Sequence, residues 1–129
     1  MTEAEATDLV QKYFEGLFPK SCPNCQRRFA TLREYIQVTQ RVGPVVSYDA
    51  EVGDWHTKQP IGSLAQANCP CGSTLSLSTE HMPMPARLAL LDWLRIETRR
   101  RGVSASELLD RMRNEVRRRV LADSTPGRE

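Results

Sequence analysis

Cys22, Cys25, Cys69 and Cys71 are the residues of this chain best suited to chemistry. They form two tight pairs, Cys22-Pro23-Asn24-Cys25 and Cys69-Pro70-Cys71-Gly72, far apart in sequence. Thiolates this close share a partner, and two short cysteine turns brought together are the usual way a chain builds a tetrahedral metal site. The pattern predicts one Zn²⁺ held by all four sulfurs. Pro23 presets the first turn, and the backbone N–H groups beyond it can donate to sulfur. Residues two apart in an extended chain face the same way, so Cys69 and Cys71 converge, and Gly72 supplies the permissive backbone that follows. Four thiolates leave excess negative charge on a divalent ion, which Arg27 and Arg28 are placed to offset from around the site. A closed four-sulfur set has no open coordination position, so the expected role is structural rather than catalytic. An iron–sulfur cluster and a metal-free dithiol pair use the same residues and compete with this reading.

The two turns and their flanks, residues 20–30 and 61–79, resemble the zinc-ribbon, or rubredoxin-like zinc-knuckle, group of folds. Gln26 stands where such knuckles usually carry Gly, and the second turn has one residue between its cysteines instead of two. The resemblance implies short antiparallel strands around the metal. It implies little about activity, because such ribbons serve transcription factors, ribosomal proteins, enzymes and adaptors alike.

Periodicity outlines the elements that must position the cysteines. Thr2 with Glu5 is a capping box, followed by Leu9, Val10, Tyr13, Phe14 and Leu17 at helical spacing up to Pro19. Thr31 with Glu34 repeats the box ahead of Leu32, Tyr35, Ile36 and Val38, a short helix expected to stop at Gly43-Pro44. Val46, Tyr48 and Ala50 alternate with Val45, Ser47 and Asp49 as a strand. Residues 51–60 read as an exposed loop and 61–68 as a second extended segment. Leu75 and Leu77 alternate with Ser76 and Ser78, completing a small meander with the second cysteine turn at one hairpin. Pro85 then opens a helix and Gly102 closes it. Ser104 with Glu107 caps a last helix whose stripe is Leu108, Met112, Val116 and Val120. On helix 85–101, Leu88, Leu91 and Leu94 lie on one side and Ala89, Trp93 and Ile96 nearly opposite. Burial of both sides is expected, one against the last helix and the other against the metal-bearing sheet or a second subunit.

The expected fold is α+β: a small zinc-stabilised antiparallel sheet with N-terminal helices and a C-terminal helical hairpin. It forms one domain, divided into a helix at 1–18, a ribbon-like region at 19–84, the hairpin at 85–122 and a flexible tail at 123–129. A length of 129 residues suits one domain with a modest core. Apolar runs fall well short of the ~20 residues that cross a bilayer. The start, MTEAEATDLVQKYF, lacks the features of a signal peptide, which predicts a cytoplasmic protein whose cysteines stay reduced. Arginine's excess over lysine hints at a GC-rich bacterial genome.

Charge is uneven. Residues 1–84 carry seven Lys/Arg against nine Asp/Glu, whereas 85–129 carry eleven Arg against seven acids. Arg99, Arg100 and Arg101, with Arg117 and Arg118 beside Arg119, could face phosphates. Their positions also suit the last turns of two helices, with Glu107 to Arg111 and Glu115 to Arg119 spaced for ion pairs. Trp55 with its neighbour His56, and Trp93, are candidate partner contacts. His81 with Met82 and Met84 could hold Cu(I), but two hydrophobic anchors in a loop are the simpler reading. No catalytic constellation stands out. The expected function is a non-enzymatic zinc protein, an adaptor or regulatory module that binds another protein and forms a homodimer. A nucleic-acid-binding regulator and a zinc–thiolate redox switch are the alternatives.

Overall fold

The computed structural model of the chain describes residues 1–47, 63–79 and 81–122. The expected loop at 51–60 with Trp55 and His56, the end of the first meander strand at 48–50, and the tail lie outside the described residues. The architecture is α+β. Helix α1 (Glu3–Glu15) leads into a two-residue strand pair, β1 (Lys20–Ser21) and β2 (Arg28–Phe29). Helix α2 (Leu32–Val38) follows, then β3 (Gln40–Ser47), β4 (Ser63–Asn68) and β5 (Thr74–Ser78). Helices α3 (Met84–Arg101) and α4 (Ala105–Ala122) complete the chain. β1 and β2 form one antiparallel sheet, and β3, β4 and β5 form a second in that order.

Local chemistry accounts for most of the boundaries. Thr2 and Glu5 make the reciprocal capping box of α1, and Ser104 and Glu107 make that of α4. At α2 the Thr31 hydroxyl accepts from the Glu34 N–H, while the Glu34 carboxylate accepts from the Ala30 N–H. Gly102 ends α3 with φ of 67°, a left-handed cap that favours glycine.

The chain departs from expectation at Gly43-Pro44. Helix α2 ends earlier, at Val38, and β3 runs straight through the pair. Strand β3 therefore starts at Gln40, ahead of the expected strand, and the register with β4 shifts between Val42 and Val46. Gly43 takes a φ of +66° and Pro44 has no N–H to donate, which suits a β-bulge better than a helix end. Arg113 of α4 closes this irregular stretch by donating from Nη1 to the Gly43 carbonyl at 2.9 Å and from Nη2 to the Gln66 carbonyl at 2.8 Å.

Two cores share α4. One gathers Ala6 and Val10 of α1, Leu90, Trp93 and Leu94 of α3, and Leu108, Leu109 and Met112 of α4. The other gathers Cys22, Phe29, Tyr35, Cys69, Leu75 and Leu77 with Val116 and Val120 of α4. The expected stripe Leu108, Met112, Val116 and Val120 is thus buried along its whole length, its first half in one core and its second half in the other. Glu3 ties the helical layer together, accepting from Arg101 at 2.9 Å and from Arg111 at 2.8 Å.

Within the chain, helix α3 is covered on one side only, so the sheet does not cover its other side as one form of the expectation had it. It packs on α1 and α4, burying Leu90, Leu91, Trp93 and Leu94. Leu88 and Ile96 stay 46% and 51% exposed. The N-terminal helix occupies the place the sheet was expected to take. Met82 anchors its loop in the core, whereas Met84 stays exposed.

Candidate metal centre

The first cysteine turn sits on the β1–β2 pair, whose register sets Lys20 opposite Phe29 and Ser21 opposite Arg28. Inside the turn the Cys22 N–H donates to the Arg27 carbonyl at 2.9 Å, and the Gln26 N–H donates to the Cys22 carbonyl at 2.9 Å. Gln26 has a φ of +68°, the left-handed conformation that glycine usually supplies at this point of a knuckle. Its side-chain amide donates to the Pro23 carbonyl at 3.1 Å. The second turn is the β4–β5 hairpin. The Cys69 N–H donates to the Ser73 carbonyl and the Gly72 N–H to the Cys69 carbonyl, both at 2.8 Å. Gly72 has a φ of +98°, so the single-residue spacing is accommodated by a glycine immediately after it.

These turns bring all four sulfurs within 4.8 Å of one another. Cys22 Sγ lies 3.8 Å from Cys71 Sγ, and Cys25 Sγ lies 3.6 Å from Cys69 Sγ. A tetrahedral ion with Zn–S bonds of ~2.3 Å sets its sulfurs ~3.8 Å apart, whereas a disulfide needs ~2.05 Å. The four cysteines are free thiols in metal-binding geometry. Each close pair takes one sulfur from each turn, so an ion here joins the two sheets. Cys22 and Cys69 are buried at the inner side of the cluster, and Cys25 and Cys71 are exposed at its outer side.

Hydrogen bonds prepare two of the sulfurs as thiolates. The Asn24 side-chain amide donates to Cys71 Sγ at 3.4 Å. With the backbone N–H and hydroxyl of Ser73, it brings the Cys71 thiol down to about 5. The Cys25 N–H, and then the Asn24 N–H, lower that of Cys22 against the effect of burial. The Cys71 N–H favours the Cys69 thiolate, but burial and the neighbouring sulfurs outweigh it and push that thiol up to about 11. Sulfurs held this close compete for protons, and a cation among them relieves that competition.

Arg27 takes part through its backbone carbonyl. Among the described residues neither its guanidinium nor that of Arg28 hydrogen-bonds to a sulfur. The polar groups that do so are Asn24 and Ser73, inside the turns themselves, where their positions beside the cysteines were the available signal.

Trp93, a candidate partner contact from sequence, is 5% exposed and lies in the helical core with Arg101 above its ring. In the arginine runs, Arg100 and Arg101 pair with Glu97, and Arg118 and Arg119 pair with Glu115. Arg99 and Arg117 have no such pair among the described residues. No helix of the described residues is long and apolar enough to cross a membrane.

Compared with protein-family models, curated proteins and solved structures, the chain matches none of them. Its class rests on its own geometry: an α+β chain with a four-cysteine metal-binding cluster at the junction of two small sheets.

Proposed function

We propose that the cluster holds one structural Zn²⁺ and that the chain is a non-enzymatic adaptor or regulatory module of the cytoplasm. In this reading it binds another copy of itself or another protein through the outer face of α3. The observation that carries the proposal is the exposure of Met84, Leu88 and Ile96, at 41%, 46% and 51%, on a helix whose other face is buried. Apolar side chains repeating along an open helical face are costly in water and mark contact surfaces. Four sulfurs with no open coordination position favour a structural ion, and the dimensions of the cluster agree with zinc. The intrahelical pairing of Arg100, Arg101, Arg118 and Arg119 leaves less charge for nucleic acid, so a protein surface is the stronger reading.

Analytical ultracentrifugation of the zinc-loaded chain and of the Leu88→Asp/Ile96→Asp variant tests this surface. A dimer that the double substitution converts to a monomer with unchanged metal content supports it. A chain that stays monomeric up to high concentration, or a dimer indifferent to both substitutions, removes α3 as the self-association surface.

A redox switch is the second reading, favoured by the outward placement of Cys25 and Cys71. Oxidation of paired thiolates to a disulfide, with peroxide reduced to water, would release the ion. Zinc retention under mild peroxide would count against it.

A further inference from the structure

Along α3, Leu88, Asp92 and Ile96 follow one another at intervals of four residues and form one ridge on the helix surface. Leu88 and Ile96 are 46% and 51% exposed, and the Asp92 side chain between them is 53% exposed. Ala89 beside the ridge is also exposed, and its small side chain leaves a shallow groove there. The order apolar, acid, apolar reads the same from either end of the helix. A second copy laid antiparallel, with a twofold axis at Asp92, therefore sets Leu88 of each chain against Ile96 of the other.

The charges at the centre favour that orientation. Asp92 accepts from Arg95 Nη2 through Oδ1, and its second oxygen has no partner among the described residues. Arg95 commits only Nη2 of a guanidinium with five N–H donors. In the antiparallel pair the two Arg95 side chains approach the two Asp92 carboxylates from opposite ends. Each guanidinium can then bridge the carboxylate of its own chain and that of the second copy, and two positive charges meet two negative ones. A parallel pair would place both Arg95 side chains at one level and match Leu88 with Leu88. Arg99 is exposed as well. It stands seven residues beyond Asp92, so the two copies of it lie about 21 Å apart along the antiparallel helices. Salt screens charges at that separation.

We propose that the outer face of α3 is the twofold contact of an antiparallel homodimer, centred on Asp92 and Arg95. This rests on the reading of α3 as the contact surface and commits that surface to one occupant, a second copy of this chain. Reciprocal Leu88–Ile96 contacts form its apolar part, and the Asp92–Arg95 network fixes its register.

The test is sedimentation of the zinc-loaded full chain, of Leu88→Asp, of Ile96→Lys, and of an equimolar mixture of the two variants. The unmodified chain is expected to dimerise, and each variant alone to associate about tenfold more weakly or worse. The mixture is expected to dimerise again. In the antiparallel pair the acid introduced at 88 meets the amine introduced at 96 of the other chain, while Ile96 of the first meets Leu88 of the second. Metal content and melting temperature of the variants should stay unchanged, because both positions are exposed. Arg95→Glu should also dissociate the pair, since it leaves only acids at the axis, and adding Asp92→Arg should restore it. If the single variants weaken the dimer and the mixture does not restore it, the antiparallel arrangement is overturned while α3 stands as the contact surface. A monomeric unmodified chain, or a dimer indifferent to both single variants, overturns the reading of α3 as the self-association surface and this proposal with it.

Discussion

Asn24 of the first cysteine turn donates through Nδ2 to the Sγ of Cys71 in the second, at 3.4 Å. The two turns are therefore joined by a side-chain hydrogen bond as well as by any ion they share. Groups that hydrogen-bond to metal ligands orient them, and losing one typically costs about 10–100-fold in metal affinity. Asn24→Ala is expected to weaken zinc by an amount in that range while leaving the zinc-saturated far-ultraviolet spectrum unchanged. Competition against a chelator of known affinity measures it.

Cys69 is buried between the hairpin and α4, in the core that contains Phe29, Leu75 and Val116. A metal site assembled only on folding contributes its binding energy to folding. Cys69→Ser should abolish stoichiometric zinc binding and lower stability by several kcal/mol, on the order of 3 or more. Chelation of the unmodified chain should act in the same direction. Hydrogen exchange should show the loss concentrated in β1, β2 and the β4–β5 hairpin, with α1 and α3 keeping more of their protection.

Gln26 takes a left-handed conformation with φ of +68°. A non-glycine residue there costs roughly 1–2 kcal/mol, partly offset by the smaller entropy it loses on folding and by its amide bond to the Pro23 carbonyl. Gln26→Gly is expected to be neutral to stabilising, by up to about 1 kcal/mol. Chemical denaturation of the zinc form decides it. A clear loss would mean that the Gln26–Pro23 hydrogen bond outweighs the backbone cost.

The cysteine pairs, the capping boxes of α1 and α4 and the stripe of α4 were readable from sequence, because each depends on residues within a turn or two of one another. Gly43-Pro44 was misread as a helix stop. Glycine and proline mark an interruption but do not say of what, and here they interrupt a strand whose freed carbonyl is met by Arg113, seventy residues away. Helix α3 was expected to bury both sides, the second against the sheet or another subunit, because its apolar residues surround it; within the chain only one side is covered. Which side is covered depends on where α1 lands, and that is set by Glu3 reaching Arg101 and Arg111 and by Ala6 and Val10 packing beside Trp93. The cluster was legible as a ligand set. Its inner and outer sulfurs, and the donors Asn24 and Ser73, appear only once the turns meet.

Arg113 bridges the Gly43 and Gln66 carbonyls across the β3 bulge. Arg113→Met keeps much of the side-chain volume and removes both donors. It should destabilise the chain by about 1 kcal/mol, the range for a net hydrogen-bond contribution at solvent-accessible backbone acceptors. Hydrogen exchange should rise first in the amides of β3 and β4. Unchanged protection there would show that the bulge does not depend on Arg113.

Acid stability should carry a signature of Glu115. Hydrogen bonds from Arg118, and then Arg119, hold its carboxyl at about 2, below the usual 4.5. A carboxylate depressed in the folded state adds stability above its unfolded value, and that contribution is lost as pH falls from about 4.5 toward 2. Glu115→Gln should lower the melting temperature slightly at neutral pH, and the gap from the unmodified chain should close as pH approaches 2. Because the pair is exposed, the effect is small and weakens with salt. A gap that widens on acidification would contradict this origin.

Native mass spectrometry of protein purified without added metal, repeated after denaturation, tests the metal centre most directly. One zinc per chain is expected in the native spectrum, with none after denaturation and four titratable thiols released. A folded, metal-free chain would contradict the centre as described here, and iron with sulfide in place of zinc would make it a redox centre.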